Sequence, residues 1–369
     1  MPLFVVPSGV ACQPVFRNPL STKNKSHTTV ASKVASLDQL GKPGHRLQIK
    51  TSEHVWERAI AYVSYKSAGN YPTTAECNNL VDRSASKPAY QQAAALLHAE
   101  ESIMMIRRPT ILTSASSVQD EGRDQVVKIL NASLQTRYRN QVAGNIADHL
   151  TYESPMDQSV DSQDMIDHAF YPTYIRPCPS MNHGPQTRDK AGYSDFILSK
   201  YPHKSGQVAV FEFKTFWNYT TEMILGHIYK DKVFITANSD RFQWQLPPGE
   251  GSPVAHELLK QVYGEHVFMG VDVSFFTNCD ICFIAVTTKE PDRIPVGSYH
   301  DVMVLSSPKK WTDPSLHAAL TGLSFMAIDA SDFVPPKSMA DLLCPANERI
   351  SLGVAPSQKV KDILQEYGL

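Results

Sequence analysis

Two charged side chains of opposite sign lie inside an apolar stretch of this sequence. Glu212 and Lys214 belong to "QVAVFEFKTFW", and Asp195 comes directly before the apolar run "FILS". Burying such groups costs several kcal/mol unless they are paired or bind a metal. Two converging carboxylates are ligands that Mg²⁺ or Mn²⁺ accepts, and such an ion can activate a water and stabilise charge on a phosphoryl oxygen. An amine beside them could orient that water, so the pattern suits metal-assisted phosphodiester hydrolysis.

The same spacing is also that of a simple ion pair. Side chains alternate between the two faces of a strand, so Glu212 and Lys214 share a face. A Glu/Lys pair two positions apart on a strand is usually a solvated or structural pair in an unrelated α+β protein. The apolar setting, the preceding Asp195 and the fact that this is the only E-x-K in the chain favour a functional role.

The surrounding elements would bring these residues together. Alternating apolar residues predict a hairpin, with strands near 193–199 and 207–215 joined by the turn "YPHKSG". A helix follows in "VAHELLKQVYGEHVFMG", and its Leu258, Val262, Glu265 and Met269 form one line along the surface. Further strands are predicted in "VDVSFFTN", "ICFIAVTT" and "DVMVLSS", with helices near 313–325 and 357–367. This order of elements predicts an α/β or α+β sheet flanked by helices.

These motifs resemble the PD-(D/E)XK, or restriction-endonuclease-like, nuclease superfamily. The residues that carry the resemblance are Asp195 before "FIL" and Glu212-x-Lys214 in "VAVFEFK", followed by the helix and strand pair in "HELLKQVYGEHVFMGVDVSFFTNCDICFIAVTT". The helix and strand pair are most similar to those of fungal members. The resemblance implies a mixed central sheet flanked by helices and a Mg²⁺- or Mn²⁺-dependent nuclease acting on DNA or RNA. The alternative is an inactive nuclease-like fold that serves as a nucleic-acid-binding or protein-interaction module, which the near-neutral charge and a long insertion after Lys214 favour.

The resemblance also implies particular roles for residues. Asp195, Glu212 and the backbone carbonyl of Phe213 would hold the metal, and Lys214 would lie beside the attacking water. Gln261 on the following helix would face the site, although from the residues alone it could simply lie at the edge of the buried stripe. A further acid from the first core helix would be either Glu121 or Asp148. Ser194 stands where the family's eponymous proline would be.

The domain organisation follows from the same patterns. We expect a polar tail or transit segment at 1–40, a helical N-terminal region at 41–114, a nuclease-like core at 115–306 and a C-terminal helical extension at 307–369. An insertion at 218–253 interrupts the core and could cover the cleft or form a partner surface.

Composition restricts the partners and the compartment. A net charge of −2 excludes nucleic-acid binding by a generally basic surface, so any such contact requires a local patch. No apolar run approaches the length of a membrane span, so no membrane partner is expected. The six scattered cysteines favour a reducing intracellular compartment, either nucleus or cytoplasm. The Ser- and Thr-rich N-terminus, free of acids before Asp38, leaves mitochondrial targeting open. The C-x-x-C pair Cys279 and Cys282 is expected to lie in the core, with a metal or redox role as the alternative.

Overall fold

A computed structural model describes the fold of most of the second half of the chain and of shorter segments before it. The described residues are 20–21, 47–64, 111–112, 180–183, 195–200, 207–236, 240–246, 248–249, 253–291 and 299–369, together with Val118, Val126, Val127, Leu130 and Leu134.

The described chain forms eleven strands and six α-helices. The strands are β1 (Leu20–Ser21), β2 (Leu47–Ser52), β3 (Ile111–Leu112), β4 (Ser180–His183), β5 (Phe196–Ser199), β6 (Gln207–Phe213), β7 (Val273–Thr277), β8 (Ile281–Pro291), β9 (Tyr299–Ser306), β10 (Lys309–Lys310) and β11 (Ile350–Ser351). The helices are α1 (Val55–Ser64), α2 (Thr221–Leu225), α3 (Pro253–Met269), α4 (Leu316–Asp329), α5 (Met339–Leu343) and α6 (Gln358–Glu366), and a π-helical turn (Gly226–Asp231) continues α2.

One mixed sheet dominates the fold. Its strands lie in the order β11-β2-β9-β8-β7-β6-β5-β4, and β10 pairs with β8 outside this path. The β2–β9 and β6–β7 pairs are parallel, and the other pairs are antiparallel. The predicted α/β class with a mixed sheet and flanking helices is therefore confirmed. The finer prediction, a restriction-endonuclease-like fold, stays a prediction.

Two hydrophobic cores cover the two faces of the sheet. On one face α1, α4 and α5 pack against strand residues that include Phe211, Phe213 and Phe275. On the other face α3, α2 and the π-helical turn after α2 pack against residues that include Phe276 and Phe283. Helices on both sides explain why the central strands are apolar on both faces.

The predicted hairpin is confirmed. Strands β5 and β6 are antiparallel, with Phe196 opposite Phe211 and Leu198 opposite Ala209. The register shifts between Leu198 and Ser199, which leaves Val208 as an extra residue in β6. As a result Val208 packs against the core that contains Phe211, instead of lying on the face of Glu212 as strict alternation predicts.

The sheet and its core extend beyond the predicted 115–306 core. Residues 47–52, which lie inside the predicted helical region, form β2, parallel to β9 and antiparallel to β11. Helix α4, inside the predicted C-terminal extension, is buried along almost its whole length. The segment predicted as an N-terminal tail contributes β1, which pairs with β3. Within the described part of the chain, no helix is both long and apolar enough to cross a membrane.

Candidate metal centre on the β5–β6 hairpin

The hairpin brings Asp195 and Glu212 together. Because Phe196 pairs with Phe211 in an antiparallel ladder, the next position along places Asp195 opposite Glu212. The Asp195 backbone N–H donates to Glu212 Oε1 at 3.2 Å, and the Phe213 backbone N–H donates to Asp195 Oδ2 at 2.7 Å. Asp195 is 8% exposed and Glu212 is 1% exposed. The two acids therefore form one buried unit, as the sequence predicts.

Lys214 completes this unit from the end of the same strand. Its Nζ lies 2.8 Å from Glu212 Oε2, and its backbone N–H donates to the Thr277 carbonyl at 2.7 Å. The Nζ also lies 5.9 Å from the centre of the Tyr219 ring. The Lys214 side chain is 14% exposed, so it is the member of the unit nearest to solvent.

Helix α3 covers the face of the sheet on which Glu212 lies. Glu212 pairs with Phe276 in the parallel β6–β7 ladder, and Phe276 packs in the same core as the α3 residues Leu258 and Val262. The orientation of α3 is maintained by His266, whose ring nitrogens lie 2.9 Å from Ser274 Oγ on β7 and 2.5 Å from Thr287 Oγ1 on β8. Burial lowers the pKa of His266 to about 3, so this ring is neutral at physiological pH.

The α3 side chain that reaches the acidic unit is Glu265, which lies in one line of the helix with Leu258 and Val262 and was not predicted as a site residue. Glu265 is 1% exposed, and Gln261 Nε2 donates to its Oε1 at 2.8 Å. Its other oxygen, Oε2, is buried and accepts no hydrogen bond from any residue that the structure describes. The side chain nevertheless lies within hydrogen-bonding reach of the Glu212 carboxyl. Gln261, the predicted site residue, is thus connected to the unit through Glu265.

The charges of these four side chains depend on one another. Burial disfavours a charged ammonium, yet the pKa of Lys214 lies above its ordinary value because three carboxylates surround it. These belong to Glu212, Asp195 and Glu265, in order of decreasing influence. Burial, reinforced by the neighbouring Glu212, raises the pKa of Glu265 well above its ordinary range, although Lys214 opposes the shift.

The chemistry of these side chains fits a divalent cation of the Mg²⁺ class. Such an ion is held by one or two carboxylates while it keeps several waters. A buried carboxylate oxygen without a donor, Glu265 Oε2, next to a second carboxyl is an arrangement that either a shared proton or a bound cation would satisfy. Within the described ranges, no group of three or more His, Cys, Asp or Glu side chains forms a preassembled metal cage. The Asp195, Glu212 and Phe213 ligand set stays a prediction.

The remaining predicted residues lie apart from this site or outside the described residues. Cys279 and Cys282 are both buried and free, and they pack in the core that contains α4. His256 stacks on Phe242 at 4.9 Å between ring centres, away from the acids. Glu121 and Asp148, the two alternatives for a further acid, lie outside the described residues.

The described part of the insertion folds onto the end of β6. The turn from Thr215 to Tyr219 leads directly into α2. Asn278 Nδ2 donates to the Tyr219 carbonyl at 2.8 Å, so the turn is attached to the end of β7. The insertion therefore supplies the aromatic ring that lies beside Lys214.

Comparison with known proteins adds no relative. No protein-family model, no curated protein and no solved structure matches the chain.

Proposed function

We propose that this protein is a metal-dependent nuclease that hydrolyses phosphodiester bonds of DNA or RNA with water as the nucleophile. The observation that carries the proposal is the contact of Asp195, Glu212 and Lys214 at one end of the β5–β6 hairpin. The resemblance of these residues to the PD-(D/E)XK pattern supports the same reading. A structural ion pair alone would not require a second acid, and Asp195 lies directly against Glu212.

Each residue has a distinct role in this proposal. Asp195, Glu212 and the Phe213 carbonyl would hold Mg²⁺ or Mn²⁺. When bound, such an ion lowers the pKa of a coordinated water and stabilises negative charge on a phosphoryl oxygen. Lys214 supplies a permanent positive charge at the solvent side of the unit, where it can orient the attacking water or neutralise charge that develops on the phosphate. The buried surroundings strengthen these interactions, because water screens them less.

A second candidate function follows from the closeness of Lys214 to Glu212. Their 2.8 Å contact already compensates the charge of this carboxylate, without any metal. This observation favours a nuclease-like fold whose chemistry is lost and which binds nucleic acid or protein partners.

A nuclease cleavage assay, together with a measurement of divalent-metal binding, distinguishes the two functions. The purified full chain is incubated with single- and double-stranded DNA and RNA in Mg²⁺ or Mn²⁺, alongside the Asp195→Asn and Lys214→Ala variants. Loss of a preorganised electrostatic group typically lowers a rate about 100- to 1,000-fold, and we expect at least that loss in each variant. The matched control is Lys310→Ala, because Lys310 pairs with Glu366 on the surface and is 38% exposed.

Three outcomes are informative. Cleavage that disappears in both site variants and persists in the control supports the nuclease proposal. Cleavage that is equal in all variants removes Asp195 and Lys214 from the mechanism. Absence of both cleavage and metal binding, measured by titration calorimetry, supports the inactive module.

A further inference from the structure

We propose that Glu265 is an acidic ligand of the metal centre, beside Glu212, and that Gln261 is its positioning residue, an assignment that rests on the proposed metal-dependent function. Neither role follows from the Asp195, Glu212 and Phe213 ligand set. The assignment also changes the role of Gln261, which then acts through Glu265 and does not itself face the metal.

The first support is the location of Glu265. It lies on α3, which covers the same face of the sheet as Glu212. The adjacent residue His266 contacts Ser274 and Thr287 on two neighbouring strands, which sets the rotation of the helix about its axis. With that rotation fixed, the Glu265 carboxyl lies next to the carboxyl of Glu212.

The second support is the bonding of the carboxyl itself. Oε1 is held by Gln261 Nε2 at 2.8 Å, one helical turn away. Oε2 is buried without a donor among the described residues. Buried acceptors that lack a partner are uncommon in folded proteins and usually mark a site for a water or an ion. The groups that act on Glu265 include the Glu212 carboxyl and the Lys214 ammonium, and a cation held between the two carboxyls would give Oε2 a partner.

The third support is burial. Glu212 and Glu265 are each 1% exposed, and Asp195 is 8% exposed. Water screens a cluster of acids on a protein surface, but it screens buried acids such as these much less.

The test compares metal affinity with stability in the full chain. Mg²⁺ and Mn²⁺ binding is measured by titration calorimetry, and thermal unfolding is followed without metal, for wild type, Glu265→Gln and Glu265→Asp. Glu265→Gln keeps the shape and the hydrogen bond to Gln261 but removes the charge, and Glu265→Asp keeps the charge but shortens its reach. We expect each variant to bind metal about 10- to 100-fold more weakly, and Glu265→Gln to unfold no earlier than wild type. Gln261→Leu should weaken metal binding less than either variant.

The matched control lies on the same helix. Glu257 is exposed and pairs with Lys260, so Glu257→Gln should leave metal affinity unchanged. If wild type binds metal and Glu265→Gln binds it equally well, the role of Glu265 is refuted while the nuclease proposal stands. If wild type binds no divalent metal, the proposed function itself fails. Early unfolding of Glu265→Gln together with unchanged affinity in Glu265→Asp would show that Glu265 is structural.

Discussion

Replacing Lys214 with methionine removes the cation that contacts Glu212 within the described part of the chain, while keeping a side chain of similar length. The Nζ and Oε2 atoms are 2.8 Å apart. At an effective dielectric constant of about 20, two unit charges at this distance attract by about 6 kcal/mol. Desolvation of both groups offsets part of this attraction, and removing one partner of a buried pair typically costs about 3–5 kcal/mol.

Protonation sets an upper limit to the cost. A buried carboxylate that has lost its cation can bind a proton instead of remaining charged. For a glutamate of ordinary reference pKa, this protonation costs about 4 kcal/mol at pH 7. We therefore expect Lys214→Met to lower the free energy of unfolding by about 3–4 kcal/mol at pH 7. The loss should shrink by up to about 1.4 kcal/mol for each unit by which the pH is lowered, since protonation then becomes cheaper.

Urea unfolding of wild type, Lys214→Met, Glu212→Gln and the double variant measures this effect as a double-mutant cycle. The double variant should recover to within about 1 kcal/mol of wild type, because no uncompensated charge remains on Glu212 or Lys214. Lys310→Met serves as the control, because the pair with Glu366 is exposed and worth at most about 1 kcal/mol. A loss below about 1 kcal/mol in Lys214→Met, or a loss that does not change with pH, would refute the reasoning.

Three more predictions follow from the same structure. Saturating Mg²⁺, at about 100 times its dissociation constant, should stabilise wild type by about 2.7 kcal/mol in thermal unfolding and should not stabilise Asp195→Asn; equal stabilisation of both would argue against the site. Burial lowers the pKa of His317 from 6.5 to about 3, so the unfolded chain takes up a proton at pH 5 that the folded chain does not. Stability carried by this neutral ring is present above pH 6.5 and is lost as the pH falls, by about 2 kcal/mol between pH 7 and pH 5. Urea titrations at both values should show a loss that is about 2 kcal/mol smaller in His317→Asn than in wild type, and an equal loss in both would argue against this assignment. Phe213 packs edge-on against Phe196 and Trp311 at 5.6 and 6.2 Å between ring centres, so Phe213→Ala should cost about 3–5 kcal/mol, whereas Val267→Ala at an exposed position should cost less than about 0.5 kcal/mol.

Much of the candidate site could be predicted from local patterns. Alternation of apolar residues predicts β5 and β6, and the short turn between them requires that they pair. Antiparallel pairing brings Asp195 to the end of β6 that carries Glu212, and the two-residue period of a strand places Lys214 on the face of Glu212. These are consequences of backbone geometry over fewer than about 20 residues, so no distant contact is needed to predict them. The extra residue Val208, which alternation does not predict, sets the register that puts Asp195 directly opposite Glu212.

The neighbours of β2 could not be predicted in this way. This strand pairs in parallel with β9, about 250 residues later, and its six residues carry too short a pattern to reveal a partner. Helix α4 was likewise predicted as part of an extension, although it is buried on all sides. Only packing against α1 and the sheet decides that burial, because a helix that is apolar all round has no periodicity to show which face is covered.

The sequence by itself determined that the two acids and the lysine belong to one hairpin, because alternation and a short turn pair β5 with β6. Only the tertiary structure decided which α3 residue joins them. Gln261 and Glu265 are one turn apart on the same side of the helix, and sequence periodicity treats them as equivalent. The contacts of His266 with Ser274 and Thr287 fix how α3 is rotated and where it lies along the sheet, and this position puts the Glu265 carboxyl against Glu212.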